Sequence, residues 1–210
     1  MPDCQQVLII IKDVATIVSL GIASVVAICG LTTWKRQMKG IANYKLARRL
    51  LMAVYKFRNS LNIVRNPLFL ASEKNIALQE VHSDVKPSEE LFDYESKRAV
   101  YQVRWKSVTD AFDNLSAVSL EAEATWGPYA TVELGEITQK KQELEVALWM
   151  ILQDLNPRSL PLLDTVSRIT FEQKVYASPN PDIEDSYLKE LNSSITKLEK
   201  RLKPYLANKK

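Results

Sequence analysis

The sequence predicts an all-α protein, with an N-terminal transmembrane helix continuing into an antiparallel four-helix bundle of coiled-coil character. Three observations carry that reading. Glycine is scarce, five residues in 210, and the strong helix formers Leu, Glu, Lys and Ala are plentiful. Val14 to Trp34 is a run of 21 residues without a charge. Beyond it, four long segments repeat apolar residues at every third or fourth position, the spacing that lines one helix face. The expected division is residues 1–34 as N-terminal segment and span, then 35–210 as a helical domain with helices near 35–66, 88–126, 129–155 and 183–206.

The uncharged run would rise roughly 31 Å as a helix, matching a hydrocarbon core of about 30 Å. Val7 to Ile11 extend the same helix, with Lys12 and Asp13 at the outer interface. Trp34 stands where an amphipathic ring prefers the headgroup region, and Lys35, Arg36 and Lys39 follow as a collar able to attract anionic lipid. By the positive-inside rule the N-terminus faces outward and the C-terminal domain is cytoplasmic, in the inner membrane of a cell. A cleaved signal peptide would have a shorter apolar stretch and a small-x-small site. A lipoprotein site is excluded, because Ile28 stands before Cys29 where a small residue is required. Thr16, Ser19, Gly21, Ala23 and Ser24 suit packing between helices in lipid, although no GxxxG is present.

The first amphipathic stretch carries Leu46, Leu50, Val54, Phe57, Leu61 and Val64 and stops at Asn66–Pro67, where proline cannot continue the ladder. Gly40 is the natural point for any kink between lipid and domain. The second is capped near Ser88 and holds Leu91, Tyr94, Tyr101, Trp105, Val108, Phe112, Leu115 and Ala122, with Arg98 filling one seam position. Trp126–Gly127–Pro128 ends it, glycine closing one helix and proline opening the next. The third carries Leu134, Ile137, Leu144, Leu148, Ile151 and Leu155, interrupted by Lys141, and ends at Asn156–Pro157. The fourth carries Leu188, Leu191, Ile195, Leu198, Leu202 and Tyr205, with Pro204 loosening its last turn. Residues 158–181 suit a short strand or an irregular segment, and 68–86 a long mixed connection. Stripes on all four helices require packing together; an oligomeric coiled-coil rod is the competing solution.

The formal net charge of +3 conceals a split. Ten of the 28 Lys and Arg and two of the 25 Asp and Glu precede residue 73, giving +8; the 18 bases and 23 acids that remain give −5. Lys45, Arg49 and Lys56 fall on one face of the first helix, opposite Leu50 and Val54, and are the candidate partner-binding face. On a helix that leaves the membrane upright, Lys56 to Arg65 would lie on the order of 30 Å away, beyond headgroup reach. They meet the acidic domain, a partner, or less favourably nucleic acid.

Composition excludes several chemistries. One histidine (His82, in a connection) and two cysteines (Cys4, Cys29) cannot build a Cys/His zinc site, a disulfide framework or a nucleophile–base pair. Glutamates such as Glu133, Glu136 and Glu143 lack the Glu-x-x-His pattern of a di-iron bundle. No GxGxxG or P-loop occurs. No enzyme, cofactor, metal or small-molecule substrate is therefore expected. Trp126 and Trp149 are expected to pack against each other or their neighbours around the turn.

The segments Trp34-Lys-Arg-Gln, Tyr44-Lys-Leu-Ala-Arg-Arg-Leu-Leu-Met-Ala-Val-Tyr-Lys and Val64-Arg-Asn-Pro67 form a pattern. It resembles uncharacterised bacterial single-pass membrane proteins with an N-terminal span and a cytoplasmic helical domain. The resemblance implies this architecture and a bacterial source, and no site. The expected function is a membrane-anchored scaffold, accessory subunit or sensor binding other proteins or a second copy. The alternative is a membrane-perturbing effector of stress or phage defence acting through an oligomerised span. A span without polar lining argues against a conducting pore.

Overall fold

The computed structural model describes residues 4–81, 91–178 and 184–207. All its regular elements there are helical: α1 Cys4–Val64, α2 Ala71–Val81, α3 Phe92–Trp126, α4 Val132–Asp154, α5 Thr165–Val175 and α6 Ser186–Leu206. A 3-10 turn, Pro128–Ala130, precedes α4. The chain divides into two compact units, one ending at Lys45 and the other spanning Leu46–Ala207. The predicted cap at Ser88, the start of the fourth helix near Ile183, and His82 lie outside the described residues.

In the first unit α1 is uninterrupted by Gly21, Gly30 or Gly40. The hydroxyls of Thr16, Ser19 and Ser24 each donate to the carbonyl four residues back at 2.8 Å, and Thr32 to Cys29 at 2.9 Å. These four hydroxyls of the uncharged stretch are thus satisfied by its own backbone.

The second unit has one large core. Leu46, Leu50, Val54, Phe57, Leu61 and Val64 of α1 enter it, with Tyr101, Val108, Leu115 and Ala122 of α3. Leu134, Ile137, Leu144, Leu148 and Ile151 of α4 and Leu191, Ile195, Leu198 and Leu202 of α6 complete it. These are the stripes that the three-four spacing marks out, because each helix becomes stable only once its apolar face is covered. Residue numbers rise on one helix as they fall on its neighbour. Between α4 and α6, Tyr187 donates to the Lys140 carbonyl at 2.9 Å, Ser194 to Glu136 at 2.7 Å and Arg201 Nε to Glu133 at 2.8 Å. Between α1 and α6, Tyr55 donates to Glu199 at 2.7 Å while Arg65 meets Asp185.

Two connections differ from expectation. Residues 165–175 form α5 where a strand or irregular segment was anticipated. Asp164 caps it, its carboxylate accepting from Ser167 N at 2.7 Å, and α5 lies on α4 with only Val175 fully enclosed. Residues 71–81 form α2, held on α3 by a satellite cluster of Ala77, Leu78, Ala99 and Val100. Gly127 has φ 86° and ψ 169°, a conformation essentially reserved for glycine, and its N–H bonds Glu123 O at 2.8 Å to close α3. Trp126 stacks on Tyr205 of α6 with centroids 4.4 Å apart, so the two tryptophans do not meet; Trp149 is 57% exposed on α4.

Candidate functional site

The first unit presents a membrane candidate. By length and composition, one helix among the described residues is apolar enough to cross a bilayer, and none of its apolar window is buried against protein. Ile17, Val18, Leu20, Ile22 and Val26 are all exposed, and at about 100° per residue they face different directions round the helix. Trp34 is 62% exposed at the end of this stretch, and Lys35, Arg36 and Lys39 are exposed directly after it. The three bases make no ion pair among the described residues.

The predicted basic face divides. Lys45 and Lys56 are exposed and make no ion pair among the described residues, and the same holds for Arg48, which lies outside that predicted face. Arg49 instead pairs with Glu121 of α3. Arg58 reaches Asn192 at 3.4 Å and lies 5.3 Å over the Tyr55 ring. Some bases of the front half are thus absorbed by the acidic remainder, and a subset stays available.

Two arginines that periodicity does not single out are the most built charged groups in the molecule. Arg65, wholly buried at the end of α1, donates through Nε to Lys174 O at 2.7 Å and through Nη2 to Gln173 O at 3.1 Å and Tyr176 O at 3.3 Å. It also forks onto Asp185, at 3.1 Å through Nη2 and 2.9 Å through Nη1, with the Tyr187 ring 4.5 Å away. Burial pushes the Tyr187 phenol up, so it remains a neutral donor to the Lys140 carbonyl. Arg104 of α3 is 7% exposed and grips both Glu73 oxygens of α2 at 2.7 and 2.8 Å. The same guanidinium donates to the Asn66 and Leu68 carbonyls, each at 2.7 Å. A planar five-donor fork is what such carbonyl-lined corners require. The sequence signal was position: Arg65 directly precedes the Asn66–Pro67 stop, where helix carbonyls and loop backbone need donors.

The bases predicted at seam positions separate likewise. Arg98 is exposed and pairs with Glu95. Lys141 lies over Trp105 and Phe112 at 5.4 and 5.3 Å and pairs with Glu145 at 2.9 Å, so it packs in the α3–α4 seam. Asp154 terminates α4 as a staple: its carboxylate accepts from Leu162 N at 2.9 Å, Leu163 N at 3.1 Å and Arg168 Nε at 2.8 Å. The Arg168 guanidinium holds the Asp154 carboxyl below its ordinary range, helped by those two amides.

Among the described residues no three His, Cys, Asp or Glu side chains converge as metal ligands. A groove of about 470 Å³ is bordered by Ile63, Leu68, Leu70 and Arg104, whose donors are already engaged. Comparisons with protein-family models, curated proteins and solved structures find no match.

Proposed function

We propose that this is a single-pass inner-membrane protein whose cytoplasmic domain, an antiparallel four-helix bundle, binds other proteins as a scaffold, accessory subunit or sensor without catalysis of its own. The observation carrying the reading is the stretch from Ala15 to Trp34, apolar and exposed on every side, followed at once by Lys35, Arg36 and Lys39. Water would penalise that surface heavily, whereas lipid matches it, and the basic collar then favours the cytoplasmic leaflet and its anionic headgroups. The shared core of α1, α3, α4 and α6 supports the bundle. The pattern from Trp34 to Pro67 supports a bacterial source.

Partner binding is supported by surface that the fold leaves unused. Lys45, Arg48 and Lys56 are exposed and make no ion pair among the described residues, and Trp149, Leu160, Leu162 and Val166 are exposed apolar groups on α4, α5 and the segment between. Every buried charge, by contrast, is held in structural pairs. In-cell crosslinking followed by mass spectrometry of the full-length protein tests this. The expected result is a stable protein partner or second copy crosslinked to the helical domain and lost in the triple variant K45E/R48E/K56E. Crosslinks confined to lipid-facing residues of the span would favour a membrane-perturbing effector instead.

A further inference from the structure

Past Trp34 the helix does not simply become polar. Met38 and Ile41 are each 50% exposed and apolar, Met38 level with the collar and Ile41 beyond it. At about 100° per residue, Trp34, Met38 and Ile41 lie within about 60° of one another, while Lys35, Arg36 and Lys39 centre about 140° round the helix. The same shear recurs at the other end. Lys12 and Asp13 fall within about 60° of the Trp34 direction, and α1 continues through the uncharged positions from Cys4 to Ile11.

The uncharged band is therefore not a level cylinder. On the Trp34 face it runs between Asp13 and Lys45; on the opposite face it begins earlier and closes at Lys35 and Arg36. The offset from Trp34 to Ile41 is about 10 Å along the axis, comparable with the helix diameter. A helix perpendicular to the bilayer fits a band whose charges begin at one axial height on every face, and these do not. The uncharged length of the Trp34 face also exceeds a core of about 30 Å, and tilt is the ordinary way to accommodate such excess.

We infer that α1 crosses the bilayer obliquely, inclined so that Trp34, Met38 and Ile41 stay in the acyl–headgroup boundary of the cytoplasmic leaflet while Lys35, Arg36 and Lys39 face its anionic headgroups. The inference rests on the membrane-span reading above. Its occupant is lipid, because the face is continuous with the apolar span and the bases opposite it complement acidic headgroups. Membrane contact then extends to Ile41, which makes Met38 and Ile41 membrane-binding residues.

The test uses full-length protein with Cys4→Ala and Cys29→Ala, reconstituted in phosphatidylethanolamine–phosphatidylglycerol vesicles. Single cysteines replace Ile28, Met38, Lys39, Ile41 and Asn59 in turn, and labelling by a membrane-impermeant maleimide is normalised to the exposed Asn59 site. Met38→Cys and Ile41→Cys are expected to label about fivefold or more slowly than Lys39→Cys, with Ile28→Cys silent. Equal labelling at 38, 39 and 41 with Ile28→Cys silent would overturn the oblique crossing and leave an upright span. Rapid labelling of Ile28→Cys would remove the span itself. Protection at 38 and 41 that vanishes on tenfold dilution with lipid would assign the face to a second copy and likewise overturn the proposal.

Discussion

Arg65 shows how much a single buried charge can organise. Its guanidinium ties the end of α1 to the last turn of α5 and to the cap of α6, groups 109 to 120 positions away in sequence. Removing one partner of such a group leaves a buried, unpaired opposite charge, which costs about 3–5 kcal/mol. Arg65→Ala is expected to lower the denaturation midpoint of the full-length protein in detergent by that scale, and Arg65→Lys to recover little, because an ammonium cannot replace the fork. Ionisation adds a pH signature. Asp154 is held below its ordinary value by Arg168 and two amides, so its contribution is full above about pH 4 and is lost as pH falls through the depressed native value. Burial raises Tyr101 and Tyr187, so stability is also lost as pH climbs above about 10, where the unfolded phenols ionise first. A Tm–pH profile should fall at both ends, and Asp154→Asn should lower the plateau while flattening the acid limb. These residues were poorly legible in the sequence. Arg65 and Arg98 look alike as isolated letters; only backbone carbonyls contributed from residues 173–176 make the first a core residue and leave the second exposed.

At the level of elements, the long helices announced themselves and the short ones did not. Leu191, Ile195, Leu198 and Leu202 of α6 repeat strictly enough to mark their face, and Asn66–Pro67 and Gly127–Pro128 mark real ends. In contrast, α2 encloses only Ala77 and Leu78 and α5 only Val175, too few positions to establish a period. Eleven residues do not sustain a helix in water; packing on α3 and α4 creates these two. The consequence is local stability that differs along the chain. Hydrogen exchange should be fastest, among the described helices of the second unit, in α2, whose anchors are the small satellite cluster and the Glu73–Arg104 pair. Arg104→Ala should accelerate exchange of residues 71–81 well beyond that of α4. Asp164→Ala, which deletes the cap of α5, should cost about 1 kcal/mol, read as faster exchange confined to residues 165–175 and a small loss of Tm. Equal protection of α2 and α4 in the unsubstituted protein would refute this ordering.

For the molecule as a whole, charge and apolarity are distributed along the chain rather than gathered in one cleft. The first unit holds the exposed apolar stretch and bases that make no ion pair among the described residues; the second is a packed helical core whose buried charges are structural. The candidate membrane interface of Trp34, Lys35, Arg36 and Lys39 rests on local sequence alone, and the fold leaves all four residues exposed. The candidate partner face was half readable: Lys45 and Lys56 stay exposed, but Arg49 turns to Glu121, a mate 72 positions away that no local pattern reveals. Everything proposed for the protein depends on α1 lying in a membrane with the second unit on the cytoplasmic side. The most direct measurement fuses, after Lys210, a reporter that is active only in the cytoplasm, and follows both its activity and the fraction in which it sediments. Full activity with the fusion retained in the membrane fraction after carbonate washing is the expected result. An inactive fusion, rescued only by a reporter that works outside the cytoplasm, or a fusion released by carbonate, would contradict it.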